Sequence, residues 1–349
     1  AGRVPDDLHK KMKITFGKQR EAVEANSQFL REVADPGRRP FESEDLDNGY
    51  GAAKEWGKQD QNLQRILQSR AFDRNYAKVK ATFNQLVRDW ADEGEEERRT
   101  CYDPILEELE RCFAHAARPD REKICVLSPG SGLGRLPWEI AMRGFAAQAN
   151  EFSYQMLLVS NHIFNSCGNI GGKKGEMIKV YPHIHTNSNH VKREDQLRSV
   201  EVPNVKISDP KLCREFSTNA GEFLEVYGED PEKWDAVTTC FFLDTAHNPV
   251  DYINTIHLIL KPGGIWINLG PLLYHYEENP NEISLELTFD EIMEVVKGAG
   301  FKVEKLEEKS CYYTGNSKSM MRTVYSRCQL FVCVKEGENR GKEKEKEKK

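Results

Sequence analysis

A short apolar run, a set of glycines and a helical pattern follow one another from Ile124 onward, and this order constrains the fold more than any other feature. Residues 124–127 have the length and composition of a buried parallel strand. Three glycines at alternate positions then let the backbone turn tightly and approach a ligand: Gly130, Gly132 and Gly134. Glu151 follows the first of them by about 20 residues, where nucleotide-binding folds place a carboxylate on the ribose hydroxyls. We therefore expect an α/β fold, Rossmann-like, with a doubly wound and mostly parallel sheet and a nucleotide-cofactor site.

The glycine spacing alone does not identify the cofactor. Gly-x-Gly-x-Gly differs from the Gly-x-Gly-x-x-Gly of dinucleotide enzymes, and a tight turn that binds nothing is the alternative. Glu222 and Phe223 put an acid beside an aromatic ring in an expected loop, a pair suited to the amino group and the face of adenine. Residues 260–268 have the pattern of a helix end, a Pro-Gly-Gly turn and a new strand. In this order the pieces are similar to the S-adenosylmethionine site of class I methyltransferases, and they disfavour a nicotinamide dehydrogenase.

Composition argues against several classes of partner and places the chain in a reducing compartment. The net charge of −6 gives no basic footprint for a nucleic-acid backbone. No apolar run approaches the ~18 residues of a membrane span, so we expect no membrane partner, and we expect no signal peptide. The nine cysteines include no C-x-x-C pair, which is typical of reduced thiols in the cytoplasm or nucleus.

Three histidines close together in the sequence are the strongest metal candidates: His183, His185 and His190. No carboxylate or cysteine completes a convincing ligand set around them. We therefore expect no metal, and we interpret this segment as a loop at the mouth of the substrate site.

Hydrophobic periodicity and composition divide the chain into three parts. Residues 1–118 are predicted to be helical, 119–335 to form the cofactor-binding domain, and 336–349, rich in Lys and Glu, to be disordered. In the first part we expect a polar linker at 40–54, a helix from about residue 62, and a helix start or solvated surface at 93–97. In the domain we expect helices at 154–164 and 288–298 and strands at 234–242, 265–269, 301–306 and 325–334.

Four longer segments carry a resemblance to a known family. They are FNQLVRDW at 83–90, PGSGLGRL at 129–136, CFFLDTAHN at 240–248 and IWINLGPLLYH at 265–275. On these segments the sequence resembles the carnosine N-methyltransferase family, from about residue 75 to about residue 335. The resemblance implies a class I methyltransferase fold with an N-terminal helical extension that closes over S-adenosylmethionine.

The resemblance also implies roles for individual residues. Gln85 and Arg88 would reach the methionine carboxylate of the cofactor, for which the Arg guanidinium supplies a planar set of donors. Without the resemblance, the simplest interpretation of their helical face is that it is solvated. The other implied cofactor contacts are Gly130, Glu151, Glu222, Phe223 and Cys240, together with Gly132 and Gly134 of the turn. The implied catalytic and substrate contacts are Asp244, His275, Tyr313 and Tyr325, with Phe241 as a wall.

Two departures from the family pattern bear on the substrate. Ser131 stands where the family usually has Ala, a mild change. The family's tyrosine-rich run before the last strand is here the segment 322–326, RTVYS, so at least one substrate-facing tyrosine is missing. Methyl transfer is therefore better supported than carnosine itself as the substrate.

The residue types suit methylation of an imidazole. Methyl transfer from a sulfonium is an in-line displacement, so the enzyme must hold the nucleophile and the methyl group in line. A carboxylate that accepts from Nε2–H leaves the Nδ1 lone pair free and favours the imidazolium that forms. We assign this part to Asp244. His275 and Tyr325 could orient the other polar groups of a dipeptide, although a structural role in the core is the alternative for His275.

Four functions stay open on this basis. The first is N-methylation of Nδ1 in carnosine, giving anserine, or in a related histidine-containing dipeptide, and the second is methylation of another imidazole or of a protein histidine. The third is a nicotinamide dehydrogenase, and the fourth is a non-catalytic scaffold that binds the cofactor. The expected partner is a small-molecule dipeptide, and a homodimer is left open.

Overall fold

The computed structural model describes residues 6–34, 70–167, 177–209, 211–313 and 316–337. The helices of these ranges are α1 Asp6–Val33, α2 Arg70–Trp90, α3 Glu95–Cys101, α4 Asp103–Cys112, α5 Arg118–Arg121, α6 Arg135–Met142, α7 Tyr154–Ser166, α8 Arg193–Leu197, α9 Phe223–Tyr227, α10 Pro249–Ile259 and α11 Phe289–Gly298. Short 3₁₀ turns cover Asp92–Gly94 and Leu243–Thr245. Within these ranges no helix has the length and apolar character needed to cross a membrane.

The strands are β1 Cys125–Pro129, β2 Ala146–Glu151, β3 Ile178–Val180, β4 Val200–Val202, β5 Ser217–Ala220, β6 Trp234–Cys240, β7 Leu260–Gly270, β8 Phe301–Tyr312 and β9 Val324–Lys335. Seven of them form one sheet in the order β5-β2-β1-β6-β7-β9-β8, and β3 and β4 form an antiparallel pair. From β5 to β7 every neighbouring pair is parallel, while β9 runs antiparallel to both β7 and β8. The predicted fold class, α/β with a doubly wound and mostly parallel sheet, is confirmed.

Two apolar clusters cover the two faces of this sheet. Neighbouring residues of a strand alternate between them, because successive side chains point to opposite faces. Leu127 and Trp266 lie in one cluster with the apolar sides of α9, α10 and α11. Val126 and Ile267 lie in the other with residues of α3, α4 and α6. Because helices cover both faces, the carboxyl ends of the parallel strands are left as the edge at which a ligand can bind.

The chain divides into two compact units. The second unit contains the seven-stranded sheet and comprises Glu95–Ser153, Ser208–Tyr313 and Thr323–Lys349. The first unit comprises Ala1–Gly94, Tyr154–Ile207 and Thr314–Arg322. This division follows a different line from the predicted boundaries at residues 118 and 335, which stay predictions.

Within the first unit, α1 and α2 bury amphipathic faces. Phe29 of α1 lies 6.0 Å from Phe83 of α2, centroid to centroid, and Trp90 of α2 meets Phe164 edge to face. Asn26 pairs with the backbone of Tyr181, accepting from its N–H at 2.8 Å and donating to its carbonyl at 2.9 Å. This pairing holds α1 beside the residue that follows β3, since the amide satisfies both backbone polar groups of Tyr181.

Several sequence predictions need correction in detail. The predicted strand 234–242 ends at Cys240, because Phe241 leaves the strand in a left-handed conformation. The run 93–97 begins a helix at Glu95, as predicted, and Glu95 and Glu96 are exposed, but Glu97 is buried and Glu93 pairs with Arg198. The last two strands are longer than predicted. The predicted linker at 40–54 and the predicted helix start at 62 lie outside the described residues, as do most of the C-terminal tail and residues 168–176.

Candidate active site

Three glycines turn the chain between β1 and α6. Gly130, Gly132 and Gly134 have φ angles of 64°, 57° and 83°, in the left-handed region that residues with a Cβ rarely adopt. At Gly130 a Cβ would also lie 2.4 Å from a ring carbon of Phe242. The sequence prediction of a tight strand-to-helix turn is therefore confirmed, and the reason is steric at each glycine.

Glu151 ends β2 beside this turn, and backbone donors hold its carboxylate. One oxygen accepts from the N–H of Gly132 at 2.8 Å. The other accepts from the N–H groups of Phe152 and Ser153 at 3.0 and 2.8 Å. The side chain therefore fixes the glycine turn. A carboxylate oxygen can accept more than one hydrogen bond, so this role is compatible with the predicted bond to ribose hydroxyls, which stays a prediction.

Glu222 and Phe223 have structural roles that the sequence did not reveal. Glu222 is the N-cap of α9, and its Oε2 accepts from the N–H groups of Leu224 and Glu225 at 2.7 and 3.0 Å. Phe223 is buried and meets Phe242 and Tyr252 edge to face. The acid therefore begins a helix where a loop was expected. The predicted contacts of this pair with adenine stay predictions.

At the carboxyl end of β6, the backbone of Phe241 is strained. Its φ is +53°, which is rare for a bulky residue and costs roughly 1–3 kcal/mol where surrounding structure enforces it. Its N–H donates to the carbonyl of Leu269 at 2.9 Å. Gly270 permits this approach, since a Cβ there would lie 3.2 Å from both the nitrogen and the Cα of Phe241. The preceding residue, Cys240, directs its thiol toward the carbonyl of Cys101.

The strained backbone carries the Phe241 ring into contact with two tyrosines. Phe241 stacks on Tyr313 with a centroid distance of 5.0 Å and an interplanar angle of 21°. Tyr325 meets Phe241 at 5.5 Å and Tyr313 at 5.7 Å, edge to face in both cases. These three residues, here called the aromatic group, lie after β6, after β8 and in β9, all within the second unit, and they form one face of the candidate substrate site.

Asp244 lies next to the aromatic group, in the 3₁₀ turn that follows β6. It is 4% exposed, and its Oδ2 accepts from the N–H of Leu273 at 2.9 Å. The N–H of His275 donates to the Asp244 carbonyl at 3.1 Å, so the β7 end is bound to this turn. Burial raises the pKa of Asp244, and the Leu273 N–H and the His275 ring counteract this in part.

Tyr325 lies close enough to Asp244 for the charge of that carboxylate to act on the pKa of the Tyr325 hydroxyl. Burial raises it first, and the nearby charge of Asp244 raises it further. The structure therefore brings together the predicted substrate residues Phe241, Asp244, His275, Tyr313 and Tyr325 at the carboxyl ends of β6 and β7. Their catalytic and binding roles stay predictions.

Gln85 and Arg88 lie on α2 in the first unit. The Gln85 amide donates to the carboxylate of Asp89 at 3.0 Å, and both Arg88 and Asp89 are buried. Burial of Arg88 contradicts the simplest interpretation of this face as solvated. The predicted contact of Gln85 and Arg88 with the methionine carboxylate stays a prediction.

The segment that contains His183, His185 and His190 lies in the first unit, where its histidines contact other side chains and the backbone. His183 is 2% exposed, and its Nε2 lies 4.0 Å from Glu93. His190 Nε2 is 2.8 Å from the carbonyl of Thr186. Among the residues that the structure describes, no three His, Cys, Asp or Glu side chains converge on a metal position, and the nine cysteines, all within those residues, form no disulfide with one another. A place for this segment at the mouth of the substrate site stays a prediction.

Two residues of this site were missed from the sequence, Gly270 and Leu273. Both lie in the segment 265–275 that carries the family resemblance, so the signal was present. Their contributions come from the backbone: Gly270 by its missing side chain and Leu273 by its N–H. Nothing in their residue types points to such roles.

Comparisons with known proteins cover the whole of this site. The family model described as carnosine N-methyltransferase matches residues 66–337. The carnosine N-methyltransferase of Rattus norvegicus is 42% identical over 337 residues, which are 95% of this chain and 78% of the rat protein. That of Mus musculus is 43% identical over 324 residues, covering 92% and 75%. That of Schizosaccharomyces pombe is 46% identical over 260 residues, covering 71% and 68%.

Proposed function

Because the chain belongs to the carnosine N-methyltransferase family, we propose that it methylates Nδ1 of the imidazole of carnosine or a related histidine-containing dipeptide, giving anserine from carnosine. The chain is an N-methyltransferase, and its methyl donor is S-adenosylmethionine. The residues fit such a donor: left-handed glycines leave the turn after β1 without a Cβ, and the Glu151 carboxylate is held beside it. The methyl position and the substrate are the parts proposed.

The observation that carries the proposal is the buried carboxylate of Asp244 beside the aromatic group. Leu273 holds one carboxylate oxygen, which fixes the orientation of the side chain. A carboxylate so held can accept from the Nε2–H of a bound imidazole and select the tautomer whose lone pair is on Nδ1. The aromatic group then provides flat surfaces against which an imidazole ring can pack.

The reaction balances as a single displacement followed by a proton loss. When bound, the cofactor supplies an electrophilic methyl group, and the Nδ1 lone pair forms the new N–C bond as the S–C bond breaks. The imidazole becomes an imidazolium, and the negative charge of Asp244 stabilises the positive charge that develops on the ring. The Nε2 proton then leaves to water through its hydrogen bond to Asp244, and neutral product results.

A substrate panel tests this proposal. Histidine, carnosine, related dipeptides and histidine-containing peptides are incubated with isotopically labelled S-adenosylmethionine, and methylated products are scored by mass. We expect the highest kcat/KM for a histidine dipeptide. Methylation of a protein histidine alone would move the function to that second class, and no turnover on any member would support a non-catalytic scaffold.

A further inference from the structure

Phe242 lies between two parts of the second unit that methyl transfer must bring together. Its backbone follows Phe241, whose ring belongs to the aromatic group of the candidate substrate site. The two rings lie in the apolar clusters on opposite faces of the sheet. The ring of Phe242 lies against Gly130 of the glycine turn, so closely that a Cβ on Gly130 would overlap it. One residue therefore contacts the predicted cofactor turn and also bears the wall of the substrate site.

The Phe242 ring is held in this place from several sides. Tyr252 of α10 stacks on it with a centroid distance of 4.7 Å and an interplanar angle of 17°. Phe223 of α9 meets it edge to face at 5.5 Å. With Gly130 on a third side, the buried ring has little room to move, since protein interiors are packed as densely as organic crystals.

The left-handed conformation of Phe241 needs support on both sides, because a bulky residue keeps such a conformation only where its surroundings enforce it. On the amino side, the N–H of Phe241 donates to the carbonyl of Leu269 at 2.9 Å. On the carboxyl side, the next residue is Phe242 with its packed ring. Loss of the Phe242 ring removes the second support, so Phe241 can relax and its ring can leave Tyr313.

Other bonds hold neighbouring parts of the sheet. The backbone ladder between β1 and β6 ends at Leu127 and Val237, and a bond between two hydroxyls follows one position further. The bonds of Asp244 tie the turn after β6 to the end of β7. Neither set involves Gly130. The ring of Phe242 lies beyond both sets, directly against the glycine turn.

We propose that Phe242 is a positioning residue for methyl transfer. Its ring sets the distance between the glycine turn and the aromatic group, and its support of Phe241 keeps the aromatic group in place. The inference rests on the proposed function, because it takes the glycine turn as the cofactor side and the aromatic group as the substrate side. In an in-line displacement, a misplacement of ~1 Å can cost about 100-fold in rate. The effect belongs to kcat, since both substrates still bind while the reacting atoms are out of line.

The test replaces the ring by an apolar side chain that is not flat, in Phe242→Leu. Phe301→Leu is the matched control. Phe301 is buried in the same apolar cluster and also contacts two rings, those of His257 and Trp266, but it lies at the start of β8. For each protein, kcat and KM for carnosine are measured together with Tm and the Kd for S-adenosylmethionine.

A spectroscopic measurement reports on the aromatic group without any turnover. The protein is labelled with ¹³C in its tyrosine rings, and the Tyr313 resonance is assigned with Tyr313→Phe. Because Phe241 stacks on Tyr313, the Phe241 ring current shifts this resonance. Phe241→Leu gives the position of the resonance when the stack is absent.

We expect Phe242→Leu to lose about 10- to 100-fold in kcat for carnosine, while KM and the Kd for S-adenosylmethionine change less than about threefold. Its Tyr313 resonance should move toward the position found in Phe241→Leu. Phe301→Leu should keep the kcat and the Tyr313 resonance of wild type. Tm should fall in both variants, since each loses part of a buried ring, so Tm alone does not explain a loss of kcat.

Wild-type kcat in Phe242→Leu, a loss in KM alone, an equal loss of kcat in Phe301→Leu, or an unmoved Tyr313 resonance would overturn the proposal. If Phe242→Leu fails to fold, Phe242→Met, which keeps more of the side-chain volume, is judged by the same criteria. If the wild type itself does not methylate carnosine, the proposed function is wrong, and the Tyr313 resonance still decides whether Phe242 holds Phe241 in place.

Discussion

At the scale of single residues, the structure separates groups that hold the backbone from groups placed to meet a ligand. Asp244 does both. Its Oδ2 accepts from the N–H of Leu273, and burial raises its pKa, so its charge is held in a site where charge is costly. A buried carboxylate at the carboxyl end of a central strand is where electrostatic stabilisation of a forming cation would be strongest.

Replacing Asp244 should therefore affect turnover far more than cofactor binding. Asp244→Ala should lower kcat at least ~100-fold, because tautomer selection and charge stabilisation are both lost. It also leaves the Leu273 N–H without its acceptor, at a cost of about 1–3 kcal/mol. Asp244→Asn lacks the charge and has one acceptor oxygen, with an NH₂ donor in place of the other, so we expect a kcat between wild type and Ala with little change in KM. Steady-state kinetics check this, and normal turnover in Asp244→Ala would remove the residue from the mechanism.

His183 makes the stability of the protein depend on pH. Burial and then the charge of Arg198 lower its pKa to about 3, whereas an unfolded histidine titrates near about 6.5. Below pH 6.5 the unfolded chain binds a proton on His183 that the folded chain does not bind. The free energy of unfolding is therefore highest above pH 6.5 and decreases as the pH falls toward 3. By pH 5 this loss is about 2 kcal/mol.

Urea unfolding of wild type and His183→Gln at pH 7 and pH 5 measures this dependence. Glutamine cannot titrate, so the variant should lose about 2 kcal/mol less than wild type between the two pH values. His115→Gln, at an exposed histidine, is the control and should follow wild type. An equal loss in wild type and His183→Gln would contradict a buried, neutral His183.

At the scale of elements, α2 of the first unit contains the residues predicted to bind the methionine carboxylate of the cofactor, Gln85 and Arg88. If Arg88 pairs with the methionine carboxylate, Arg88→Ala should weaken binding of S-adenosylmethionine by roughly 1.5–3 kcal/mol, the range for a bond to a charged group. Arg88→Lys should recover only part, because an ammonium cannot reproduce the bidentate geometry. Calorimetric Kd values decide this, with Asn84→Ala, on an exposed face of the same helix, as the control. An unchanged Kd in Arg88→Ala would leave α2 a packing role alone.

The elements that sequence patterns predicted well are those with a local signal. The helix at 288–298 is present as Phe289–Gly298, and Thr288 and Glu291 form its capping box. The strand β2, with the sequence AAQANE, was not predicted, because Ala, Asn and Glu have low strand propensity. Its strand conformation comes from pairing with β1 on one side and β5 on the other, which no local pattern encodes.

The same distinction applies to the candidate site. Its glycine turn and the position of Asp244 after a strand follow from local sequence. The aromatic group joins Phe241 to Tyr313 and Tyr325, 72 and 84 positions away in sequence, and no periodicity connects them. Likewise, Glu222 was expected in a loop, but the two N–H groups it caps belong to a five-residue helix too short to give a pattern.

At the scale of the whole molecule, cofactor binding should stabilise the folded chain. A ligand that binds only the native state adds ~2.7 kcal/mol at 100 times its Kd, so S-adenosylmethionine or its demethylated product should raise Tm while NAD should not. Glu151→Ala should weaken the shift, because both the support of the glycine turn and the predicted ribose acceptor are lost. Stabilisation by NAD alone would overturn the cofactor assignment. The location in the cytoplasm or nucleus stays a proposal, and a homodimer is left open.

The position of the new methyl group tests the central claim most directly. Carnosine is incubated with the enzyme and S-adenosylmethionine carrying a ¹³C-labelled methyl group, and the product is assigned by NMR. If Asp244 accepts from Nε2–H, the label must appear on Nδ1, and the product is anserine. A label on Nε2, or no labelled imidazole from a protein that binds the cofactor, would contradict the account.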